Sequence, residues 1–108
     1  MPMYLGRFRY TPDAIKALVE NPHDRARAAG AAVESVGGTL HGFWYAFGEF
    51  DGYFLMEAPD NSTAMALSAT VAQSGALSTI ETIPLMSVEE GIEALRKTQS
   101  AVYAPPTA

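Results

Sequence analysis

The 108-residue chain contains no cysteine. Disulfide frameworks, thiolate metal sites and thiol nucleophiles are therefore excluded, and a reducing, cytoplasmic setting is the expected one. Basic residues are also few: seven Lys and Arg stand against twelve Asp and Glu, a formal net charge of −5. Without a Lys/Arg cluster there are no counterions to release from a phosphate backbone, so nucleic acid is not an expected partner. No apolar run approaches the roughly 20 residues of a membrane span, and Arg7 and Arg9 interrupt the amino-terminal stretch where a leader needs unbroken apolar residues. Membrane contact is not expected either. The two histidines, His23 and His41, lack any paired ligand spacing, so no metal is expected, and nothing else in the chain points to a bound cofactor. A Gly-x-Ser-x-Gly elbow is absent, and Gly37-Gly38 follows a helical pattern where a phosphate-cradling loop precedes one.

What remains is a chain in which 48% of residues are hydrophobic and only 18% are charged. That is enough for one packed domain, expected over residues 1–103 with a frayed tail at 104–108. Met3 to Tyr10 reads as a strand, closed by Thr11-Pro12, a good N-cap followed by a proline suited to the first helical turn. Helical spacing of Ile15, Leu18 and Val19 breaks at Asn21-Pro22, then resumes with Ala26, Ala29, Val33 and Val36 up to Gly37-Gly38. Thr39 to Phe47 and Tyr53 to Glu57 flank the turn cluster Gly48 to Gly52 and predict a β-hairpin. Asp60 caps a helix carrying Ala64, Leu67, Ser68 and Val71. Leu77 to Leu85 forms a last strand, and the pair Ser87 and Glu90 is a capping box for a final helix with Ile92 and Leu95 inward. The order β-α-β-β-α-β-α predicts an α+β fold, a ferredoxin-like βαββαβ sandwich with an extra C-terminal helix and strand order 4-1-3-2.

Alternation along the strands sorts residues onto two sheet faces. Tyr4, Gly6, Phe8 and Tyr10 with Leu40, Gly42, Trp44, Phe54 and Met56 are nearly free of charge and suit the side packed by helices. Leu5, Arg7, His41, Phe43, Tyr45, Leu55, Glu57, Glu81 and Ile83 form the other face. The assignment rests on the length of the hairpin turn, since an even number of turn residues exchanges the faces of one strand. The second face is too apolar for water, so two sheets are expected to pack together as a homodimer, a dimeric α/β barrel. Its interface comprises Leu5, Arg7, Phe43, Leu55, Glu57, Glu81 and Ile83, with Arg7 lying between Glu57 and Glu81.

The stretch Phe47-Gly48-Glu49-Phe50-Asp51-Gly52 with Glu57-Ala58-Pro59-Asp60, the opening Tyr10-Thr11-Pro12 and the Gly37-Gly38 turn resemble the GYD-domain family of small bacterial proteins. The likeness spans nearly the whole chain and implies a dimeric α+β barrel; the family is largely of unassigned function. Where the family's hairpin motif usually carries Tyr before Asp, this chain has Phe50. The same hairpin is similar to one in the effector-binding domains of leucine-responsive transcription regulators. Likeness of fold does not carry a function across.

Three polar residues are candidates for chemistry. Asp51 is a candidate general base, although an aspartate in a glycine-bounded turn more often accepts bonds from nearby amides. His41, on an aromatic strand, suits acid-base work near neutral pH, against the simpler reading of a hydrogen-bonded interface histidine. Tyr45 is the third. Glu49 reads as a solvated turn charge and His23 as an exposed one. Trp44, Tyr45, Tyr53 and Tyr10 are numerous enough to line a pocket for a flat organic molecule, with Gly6 and Gly42 making room for a large ring. The reading is a small, partly aromatic ligand held between sheet and helices. Its rivals are a cofactor-independent oxygenase or isomerase, and a ligand-sensing or assembly module without catalysis.

Overall fold

The structure, a computed structural model, describes residues 1–107. Strand β1 (Met3–Tyr10) leads into α1 (Pro12–Glu20) and α2 (Arg25–Ser35), then the hairpin β2 (Thr39–Tyr45) and β3 (Gly52–Glu57). Helix α3 (Asn61–Ala72), strand β4 (Leu77–Leu85), helix α4 (Val88–Lys97) and a 3₁₀ turn (Thr98–Ser100) complete the described elements. The strands form one antiparallel sheet in the order β2-β3-β1-β4, the expected α+β arrangement.

Local chemistry sets the boundaries. The Thr11 side chain accepts from the Ala14 amide and Pro12 opens α1. Asn21-Pro22 separates α1 from α2, and Asp24 caps α2 by accepting from the Arg27 amide. Gly37 ends that helix at φ +85°, a left-handed conformation that costs glycine no Cβ clash. Asp60 caps α3, and the bonds it accepts from Thr63 and Ser62 hold its carboxyl below the usual carboxylate range. Helices α2 and α3 lie on one sheet face, where Tyr4, Val33, Met56, Ala58, Ala64 and Leu67 form the buried core. The half-buried Ser68 hydroxyl sits 2.6 Å from that of Thr82, tying α3 to β4.

One segment of the sheet departs from simple alternation. Leu40 opposes Met56 as expected, but the next partner pair is Gly42 with Leu55, so His41 is an extra residue bulged out of the ladder. From there every side chain of β2 is reversed. Phe43 opposes Phe54 on the helix side, whereas Gly42 and Trp44 join the open face, where Trp44 opposes Tyr53. The expected placement of Phe43 and Tyr45 on the open face, and of Gly42 and Trp44 beneath the helices, is thus corrected by one bulge. The hairpin is also shorter than expected, with β2 ending at Tyr45.

Helix α4 departs further. Its capping box is formed as expected, with Ser87 and Glu90 bonded reciprocally. Yet Ile92 and Leu95, expected inward, are exposed, together with Val88 and Met86. The helix extends away from the sheet, and the described chain measures 58 × 34 × 23 Å with a radius of gyration of 17.4 Å. A compact domain of this length would have a radius of about 13 Å. No described helix is long and apolar enough to cross a membrane.

Candidate functional site

A cavity of about 330 Å³ separates α2 from α3 above the sheet. Small side chains create it: Ala28, Ala29 and Ala32 of α2 line one wall, and α3 presents Leu67, Ser68 and Val71 on the other. The floor is aromatic. The Phe8 ring lies 5.6 Å from Phe43, 6.3 Å from Phe54 and 5.2 Å from Tyr10, the last edge-on. Gly6 gives Phe54 its place, because a Cβ there would fall inside the Phe54 ring. Gly52 accommodates Phe8 in the same way.

Polar groups gather at one end. Tyr10 is half-buried, and burial together with the neighbouring Tyr45 hydroxyl pushes its phenol up to about 12, so it remains a proton donor at neutral pH. Tyr45 borders an adjoining recess formed by Tyr10, Ile15, Val19 and Phe47. Arg25, the first residue of α2, stands at the same end and, among the described residues, is the sole charged one lining the cavity.

The two aromatic residues expected in the pocket and not found there are Trp44 and Tyr53. Both lie on the open face, with the indole covering Gly42. Tyr10 and Tyr45 do stand at the cavity and its recess. Missing from the expected set were Phe8, Phe43, Phe54 and Arg25. Phe8 and Phe54 lie on the face expected to pack against the helices, and the period-two spacing of Phe8 with Gly6 was the available signal.

The remaining candidates lie outside the main cavity, although Asp51 lines the adjoining recess with Tyr45. His41 Nε2 is 2.7 Å from Glu57 on the open face, and Glu57 pairs in register with Met3 and Thr39. Arg7 therefore bonds to Glu81 alone, and the expected Glu57–Arg7–Glu81 set divides into two pairs. The bond to Glu81 holds the Arg7 guanidinium above its ordinary range. That guanidinium also lies 4.2 Å from the centroid of the buried Phe50 ring, which Arg9 approaches to 5.0 Å. Phe50 thus fills the hairpin turn as an apolar and cation–π anchor. Asp51 Oδ2 accepts from the Tyr10 amide at 2.8 Å, which fastens the turn to β1, and Glu49 bonds to Arg9. Leu5 opposes Leu55 on one side and Ile83 on the other, and all three share the open face, as expected. Among the described residues, no group of three His, Asp or Glu side chains is placed to hold a metal ion.

A family model described as the GYD domain matches residues 4–95, most of the 108-residue chain. A comparison with curated proteins finds no match.

Proposed function

The chain belongs to the GYD domain family, and from that premise we propose that it acts as a homodimer binding a small, partly aromatic organic molecule between sheet and helices. The observation that carries this reading is the open cavity on an aromatic floor. Its volume of about 330 Å³ falls in the range of small-ligand sites. Acid-base chemistry has less support than binding, because His41 and Glu57 pair on the open face, and Asp51, which lines the adjoining recess, is engaged by the Tyr10 amide. A screen of small aromatic compounds should raise the melting temperature of the wild type. Ala29→Trp, which fills the cavity from α2, should fold and show no such response. A wild type indifferent to every compound, or a filled variant that still responds, overturns the reading.

The uncovered sheet face supports dimerisation. Leu5, Tyr53, Leu55 and Ile83 are only half-buried and Trp44 is exposed, an apolar surface that no described helix covers. Two such faces packed together would shield it and enclose the Arg7–Glu81 and His41–Glu57 pairs. Sedimentation at micromolar concentration should give twice the chain mass. Leu55→Glu places a carboxylate at the centre of that face and is expected to yield a folded monomer. A wild-type monomer, or a dimer unaffected by Leu55→Glu, would rule this interface out.

A further inference from the structure

We propose that the cavity selects organic monoanions: an apolar body lies on the Phe8 and Phe54 rings and a carboxylate-type head bonds to Arg25 and Tyr10. The inference rests on the cavity being the binding site and adds the chemical class of its occupant.

The argument begins with where charge is absent. The chain carries twelve Asp and Glu against seven Lys and Arg, yet among the described residues no Asp or Glu lines the cavity itself, and Asp51 in the adjoining recess is turned to the Tyr10 amide. Its single charged lining residue is a cation. Among the described residues Arg25 forms no ion pair; its guanidinium lies 3.1 Å from His23 Nε2. The two arginines of the sheet, Arg7 and Arg9, are each matched to a glutamate. A guanidinium keeps its charge at any physiological pH and offers a planar fork of donors suited to a carboxylate.

Tyr10 supplies the second donor. Its hydroxyl lies beside Arg25 and Tyr45 at the end of the aromatic floor. A neutral ligand would leave the Arg25 fork to water, and a cation would be repelled. An anion gains charge-assisted hydrogen bonds at the half-buried rim of an apolar site, where they exceed neutral ones. Size limits the body: the cavity is about twice one of roughly 150 Å³ that holds benzene, so a two-ring compound or a medium-length chain fits.

Calorimetry with two matched pairs tests this: naphthoate against naphthamide, and octanoate against octanamide. The wild type should bind at least one anion about tenfold or more tightly than its amide, a difference of about 1.4 kcal/mol. In Arg25→Gln that preference should vanish while affinity for the amide persists, and Arg25→Lys should retain part of it. Equal binding of acid and amide, or a preference unchanged in Arg25→Gln, overturns the anion assignment and leaves the cavity reading standing. If none of the four compounds binds, or if all bind equally well to Ala29→Trp, the cavity reading itself falls and the assignment with it.

Discussion

Tyr4→Ala is expected to remove most of the stability of the fold. Tyr4 is 1% exposed, sits on β1 between β3 and β4, and packs in the core with Val33, Met56 and Leu67. Truncating a buried aromatic ring costs about 3 to 5 kcal/mol, the lost transfer energy adding to that of the void. Small domains have only about 5 to 15 kcal/mol in total, so the variant should be largely unfolded at low denaturant. Its hydroxyl donates to Asn61 Oδ1 at 2.5 Å, at the exposed start of α3. Tyr4→Phe keeps the ring, leaves Asn61 free to bond water, and should cost about 1 kcal/mol. Urea denaturation of the two variants checks both values; similar midpoints would mean that the hydroxyl, and not the ring, matters at this site.

Gly6→Val should destabilise by about 2 to 3 kcal/mol, although valine favours strands and glycine does not. The reason is the Phe54 ring, which occupies the space a Cβ at position 6 requires. Valine would lift that ring from the sheet into the cavity, straining the core and shrinking the ligand site together. Combining Gly6→Val with Phe54→Ala gives the new side chain room. The double variant is expected to be more stable than the sum of the single losses by about 1 kcal/mol or more, a coupling typical of residues in contact. Strict additivity would show that position 6 tolerates a side chain with the ring in place.

Much of this arrangement was legible because it follows from local chemistry. Thr11-Pro12, the break at Asn21-Pro22, Gly37 and the Ser87–Glu90 box are satisfied by neighbours within a few residues, so their meaning survives without tertiary knowledge. The faces of β1 and β3 followed from alternation, which has no slack once one residue is fixed. On β2, a single extra residue at His41 reverses everything after it, and no residue type announces a bulge. That is why Phe43 and Trp44 exchanged roles. Arg25 was missed for another reason: a charged residue opening a helix reads as solvated, and only its place in the cavity wall marks it out.

The projection of α4 bears on how the chain unfolds. A helix of ten residues is too short to be stable in water on its own, since nucleation is unfavourable and few bonds are gained by propagation. Its Ser87 and Glu90 cap and its Arg96 and Lys97 at the carboxyl end favour the helical state locally. They do not couple it to the sheet. In a single chain the cooperative unit is therefore expected to close at β4, with residues 88–100 opening as a separate foldon at little cost in free energy. Their amides would exchange with solvent long before those of β1, and protection there would rise only when a surface covers Val88, Ile92 and Leu95.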